Sequence, residues 1–178
     1  MAQILIATDG TLDDQRTADV VARLYEPGDE VCVMTAIEFP REFLSSVAKV
    51  SGVEDVARFA AEAGAGVLGI GGGAKAAERI ALSSKETADH PLGDYFAKTA
   101  HERTDSLRDV LRERGVDAVA AWASTEHQTA RTILGIAETY EADILVIGAK
   151  GGGRFEGPLG STVTKLVRRA PMNVVIIK

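Results

Sequence analysis

Short apolar runs alternate with amphipathic stretches along most of this chain, and that alternation restricts the folds open to it. Residues 3–8 (Gln-Ile-Leu-Ile-Ala-Thr) are apolar and β-branched and stop at Asp9-Gly10, the pattern of a buried strand and a turn. Residues 11–25 bring Ala18, Val21, Ala22 and Tyr25 to one face at helical spacing. Thr11 is the expected cap, with Asp13 and Asp14 favourable at the positive end of the helix dipole and Pro27-Gly28 as the stop. Val31 to Ile37 repeats the strand pattern.

The same alternation resumes at Pro91. Residues 91–114 carry Tyr95, Phe96, Thr99, Leu107, Val110 and Leu111 on a charged background, a helix closed by Gly115. A strand over 116–123 follows, then a helix over 126–141 with Ala130, Ile133, Leu134, Ala137 and Tyr140 inward. Asp143 to Ile147 is the next strand; Ser161 caps a helix that ends at Arg169, and Met172 to Ile177 is the last strand. Strands that read as continuous apolar runs belong to parallel sheets covered on both faces. The predicted fold is α/β: a doubly wound, five-stranded parallel sheet in an α/β/α sandwich of Rossmann-like type.

Residues 38–89 interrupt this rhythm with Pro40, Ser45-Ser46 and glycines from Gly64 to Gly73. They are expected to be an insertion, flexible in part, with a short helix over 53–63 and loop elsewhere. Gly64-Ala-Gly66-Val-Leu-Gly69 has the spacing of a dinucleotide fingerprint, but it follows a helical pattern where that motif needs a strand. With 178 residues, one domain is expected.

The formal charge of −6 argues against a nucleic-acid partner and against docking on an anionic membrane. No run approaches the ~20 apolar residues of a membrane span. The first residues enter a strand without a basic leader, so the expected location is the cytoplasm. Cys32 is the single cysteine, which excludes an intrachain disulfide and predicts a small buried core residue. His90, His101 and His127 have no metal-spaced partners, Trp122 is expected in the core, and Arg168-Arg169 complement a helix C-terminus.

In a doubly wound sheet, ligands bind beyond the carboxyl ends of the strands where the winding reverses. That points to Asp9-Gly10 and to the stretch from Gly148 to Thr162. The latter reads Gly-Ala-Lys-Gly-Gly-Gly-Arg-Phe-Glu-Gly-Pro-Leu-Gly-Ser-Thr. Its glycines let backbone approach an anion, and it runs into a helix whose first amides lack intrahelical acceptors. Lys150 and Arg154 add positive charge. The same glycines would equally suit a plain connecting loop.

This arrangement resembles the universal stress protein family. The likeness covers residues 1–37 and 91–178: Thr8-Asp9-Gly10, Ala142-Asp-Ile-Leu-Val-Ile-Gly148, Gly160-Ser161 and Ala170-Pro-Met-Asn-Val-Val-Ile-Ile177. ATP-binding members space their second and third loop glycines by nine residues; here eight lie between Gly151 and Gly160. The resemblance implies an adenine nucleotide alpha hydrolase-like fold and a site for ATP, with Mg2+ as a companion ion and AMP or cyclic AMP as alternatives. It sets Asp9, beside Ala7 and Thr8, by the ribose or the phosphate–metal region, and gives the Ala36 backbone the adenine edge. Ile147 and Gly148 flank the sugar, and Lys150, Gly151, Gly160, Ser161 and Thr162 serve the phosphates. It also implies a homodimer through the C-terminal strand and a role in stress response. No general base for fast hydrolysis is evident, so turnover should be slow at most. Two alternatives stay open: an interaction protein without nucleotide, working through residues 38–89, and a phosphoryl-transfer enzyme with Asp9 as base.

Overall fold

The computed structural model describes residues 1–38, 65–68, 91–125, 128–151 and 159–178. In chain order these form β1 (Gln3–Ala7), α1 (Asp14–Leu24), β2 (Glu30–Glu38), β3 (Ala65–Leu68), α2 (Pro91–Glu113), β4 (Ala118–Thr125), α3 (Thr129–Thr139), β5 (Ile144–Gly148), α4 (Ser161–Arg169) and β6 (Asn173–Ile177). The sheet order is β3-β4-β2-β1-β5-β6. β1, β2, β4, β5 and β6 are parallel throughout, so the five strands expected from the apolar runs make the expected sheet.

Side chains alternate across the strands, so each strand feeds both layers. Leu5, Cys32, Met34, Leu145 and Ile147 pack under α3 and α4, against Ile133, Ala137, Tyr140 and Leu166. Ile4, Ile6, Val31, Val33 and Val146 pack under α1 and α2, against Ala18, Val21, Leu107 and Leu111. Burial pushes the Cys32 thiol up to about 12, which leaves it an inert apolar group. Trp122 is buried and stacks on Phe96 with ring centroids 4.5 Å apart.

Three local expectations are corrected. Residues 65–68, read as loop, are a sixth strand, antiparallel to β4 with Ala65 opposite Ala123 and Leu68 opposite Ala120. Four residues between glycines are too short for periodicity to register; the partner strand supplies the order. Gly66 therefore sits in β3 opposite Trp122, at no strand-to-helix junction. Asp13, not Thr11, caps α1: its Oδ1 accepts from the Arg16 amide at 2.9 Å, the three-residue reach of an N-cap. Gly160, not Ser161, is the N-cap of α4, and Ser161 is its first helical residue. The short helix expected over 53–63, the rest of 39–90 with His90, and His127 lie outside the described residues.

Positive-φ residues follow α2, as expected, and α3. Gly115 has φ +76° and hands Val116 N–H to the Leu111 carbonyl at 3.0 Å. After α3 that role falls to Glu141 at φ +57°, with Ala142 N–H donating to Ala137 O at 2.8 Å. At the amino ends of the strands Asp29 accepts from the Ala2 amide at 2.5 Å and the Glu26 amide at 2.9 Å, tying β1 to the start of β2. These two backbone donors hold its carboxyl below the ordinary carboxylate range.

Candidate functional site at the winding reversal

β1 is central: β2 and β4 extend the sheet on one side, β5 and β6 on the other. α1 and α2 pack together, as do α3 and α4. The loop after β1 and the loop after β5 therefore leave toward opposite layers, and a crevice opens between them. It holds a cavity of about 520 Å³, within the ~300–1,000 Å³ of small-molecule sites.

The eleven site residues that the resemblance implies line it, and Arg154 lies outside the described residues. Ala7, Thr8 and Asp9 come from the end of β1 and Ala36 from the end of β2. Ile147, Gly148, Lys150 and Gly151 come from the end of β5. Gly160, Ser161 and Thr162 come from the start of α4. They are one cluster because a parallel sheet brings all its strand ends to a single edge.

The loop after β1 is held by its own side chains. Thr8 Oγ1 accepts from the Gly10 amide at 2.9 Å, and Asp9 Oδ1 accepts from the Thr11 amide at 3.1 Å. Across the crevice Gly160 N–H donates to Ala149 O at 2.9 Å, and Ala149 N–H donates to Ile177 O at 2.7 Å. The two ends of the glycine loop are thus joined to each other and to β6. Gly160 spends its own amide on that joint. The amides of Ser161, Thr162 and Val163 have no intrahelical acceptor by geometry, and among the described residues no side chain caps the turn. Gly151 lies against Asp9: a Cβ there would lie 2.6 Å from Asp9 Oδ2 and would turn that carboxylate aside.

Other features stay outside this crevice. Asp13 is engaged as the α1 cap, and Asp14 accepts from Ser106 Oγ at 2.6 Å. That is the helix-start role expected of them, and neither lines the cavity. His101 is exposed beside Asp105, with Nδ1 at 3.1 Å from Oδ2. Among the described residues no group of three His, Cys, Asp or Glu could hold a metal ion, and no helix is long and apolar enough to cross a membrane.

Sequence reasoning missed several lining residues: Leu12, Glu38, Arg103, Thr129, Ile133, Val163 and Leu166. Thr129 Oγ1 donates to Glu38 Oε1 at 2.7 Å, joining the end of β2 to the start of α3. Arg103 had a readable signal. The buried stripe of α2 runs Phe96, Ala100, Leu107, Leu111, and position 103 falls on the same face between Ala100 and Leu107. A cation on an apolar stripe needs a reason.

A parallel sheet wound both ways from a central strand, with its crevice at the reversal, defines a doubly wound α/β protein. The universal stress protein family profile matches residues 1–178, and the chain belongs to that family. No curated protein sequence matches the chain. Among solved structures the fold is similar to that of hypothetical protein MJ0577, with TM-score 0.63, 16% identity, 99% of this chain and 95% of that chain covered. It is similar to the universal stress protein from Archaeoglobus fulgidus in complex with dAMP, with TM-score 0.54, 17% identity and coverage of 100% and 98%. A universal stress protein family protein from Arabidopsis thaliana with AMP bound gives TM-score 0.51, 12% identity and coverage of 100% and 92%.

Proposed function

We propose that this universal stress protein family member binds an adenine nucleotide in the crevice at the winding reversal and acts as a stress-response or regulatory module. The observation that carries the reading is the cavity itself, where the uncapped amides at the start of α4 face Asp9 and Ala36. Helix-start amides and glycine backbone suit phosphate oxygens, and Lys150 adds charge at the same end. The Ala36 peptide suits a base edge, with Ile147 and Gly148 beside the sugar. ATP is the proposed ligand, with AMP and cyclic AMP as alternatives; the dAMP and AMP complexes of solved family members support the adenine class. A phosphate-bound Mg2+ needs only one or two protein carboxylates, and Asp9 is placed to supply one.

A homodimer through β6 belongs to the same reading. β6 is an edge strand, and its Val174, Val175 and Ile176 are only half-buried. A long apolar edge calls for cover. The reading also places the protein in the cytoplasm and assigns it slow turnover at most. The interaction-only alternative is not favoured, because solved relatives hold adenine nucleotides.

Thermal unfolding with ATP, AMP, cyclic AMP and GTP tests it, on the native chain and on Gly160→Val. A ligand at a hundred times its Kd stabilises by about 2.7 kcal/mol. Gly160 has φ −62°, and a Cβ there meets nothing closer than Ala149 O at 3.7 Å, so the backbone accepts a Cβ, and circular dichroism checks that the variant folds. It adds side-chain bulk at the cavity wall. Stabilisation by an adenine nucleotide that disappears in Gly160→Val is the expected result. No stabilisation of the native chain by any adenine nucleotide at millimolar concentration rejects the proposal.

A further inference from the structure

Arg103 lines the crevice beside the ends of β1 and β2. Its side chain passes over the end of β1, where a Cβ on Gly10 would sit 3.2 Å from Arg103 Cγ. Gly10, at φ +88°, is the residue that leaves that path clear. Arg103 Nη1 then donates to Ala36 O at 3.3 Å and reaches Thr35 Oγ1 at 3.4 Å. Both contacts use the same nitrogen. An arginine has donors on three nitrogens, and among the described residues Nε and Nη2 make no hydrogen bond and no carboxylate pairs with the guanidinium.

The peptide that Arg103 touches is open to the cavity. The β1–β2 register ends at Ala7 opposite Met34, and Thr8 N–H donates to Met34 O at 2.9 Å. In a parallel ladder the N–H and C=O of one residue face one neighbour, and the direction repeats every second residue. Ala36 therefore points its N–H and C=O the way Met34 does, beyond the point where β1 has stopped. A 6-aminopurine edge fits that donor–acceptor pair with its amino group on the Ala36 carbonyl. The carbonyl already receives a cationic donor, so the amino group meets a second donor beside it. A 6-oxo group set squarely there would face the carbonyl oxygen, with its N1–H against the Ala36 N–H, so a 6-oxopurine would instead turn O6 and N7 toward the guanidinium, the pairing by which arginine reads guanine.

We propose that Arg103 is a base-selectivity residue: its guanidinium at the Ala36 carbonyl weakens the preference for a 6-aminopurine and admits 6-oxopurine nucleotides to the same crevice. The inference rests on the nucleotide reading above and specifies which bases the site accepts.

Titration calorimetry with AMP and with GMP, on the native chain, Arg103→Met and Arg103→Lys, tests it. The native chain should bind both nucleotides. Arg103→Met keeps the apolar stem and should move the GMP-to-AMP ratio of dissociation constants toward AMP by about tenfold. Arg103→Lys keeps charge without the planar fork and should move it partway. If Arg103 only braces the loop, both nucleotides weaken together and the ratio stays fixed, which overturns the proposal. AMP binding without GMP binding to the native chain overturns it as well. If the folded native chain binds neither nucleotide, the nucleotide reading itself fails and this inference with it. Should Arg103→Met not fold, the Lys variant carries the ratio test alone.

Discussion

Gly151 and Asp9 meet across the crevice: a Cβ on Gly151 would lie 2.6 Å from Asp9 Oδ2, so a side chain there must turn the carboxylate aside. Asp9 stands near the start of the loop after β1 and Gly151 in the glycine loop after β5, so the contact joins the two walls.

Gly151→Ala should therefore push aside the exposed Asp9 carboxylate and cost up to about 1 kcal/mol. Shortening Asp9 to Ala removes the clash. The double variant should be more stable than the two single effects predict, by a coupling of up to about 1 kcal/mol in denaturant melts. Strict additivity would mean that the carboxylate yields at no cost and would contradict the prediction.

Acid should act through Asp29. Two backbone amides hold its folded carboxyl below the ordinary range, so in acid the unfolded chain binds the extra proton first. The sign follows: the contribution is complete above the unfolded value and is lost as pH falls through the folded one. Asp29→Asn removes the titration and keeps the shape. Between about pH 5 and about pH 2 the native chain should lose more stability than the variant. Parallel loss in chemical denaturation across that range would contradict the assignment.

Tyr140 is 2% exposed, and among the described residues its hydroxyl has no hydrogen-bond partner. Burial first, then Cys32 and Glu30 nearby, pushes it well above the ordinary tyrosine range, so it stays protonated. A buried polar group without a partner costs about 1–3 kcal/mol, and its removal is close to neutral or stabilising. Tyr140→Phe should unfold at the same or a higher denaturant midpoint. A drop of more than about 1 kcal/mol would mean the hydroxyl is bonded after all.

The five parallel strands, the two helix layers and the crevice position were legible because they follow from period and polarity. Ile4 and Ile6 feed one layer and Leu5 the other, as the two-residue alternation requires. The glycine loop announced itself by composition. Arg103 was legible only as a cation on an apolar stripe; that it crosses Gly10 is decided by the tertiary placement of α2. β3 was illegible because its pairing with β4 comes from tertiary contact and its four residues carry no periodic signal of their own. The caps were misplaced by one or two positions, since Thr11, Asp13, Gly160 and Ser161 are all competent and geometry alone decides.

The bond from Gly160 N–H to Ala149 O makes the intervening segment a cassette. Its entry and exit are fastened together, so residues can be gained or lost between them without moving the first turn of α4. A change in the length of that segment should therefore alter what the crevice holds while the turn and the sheet beneath keep their places.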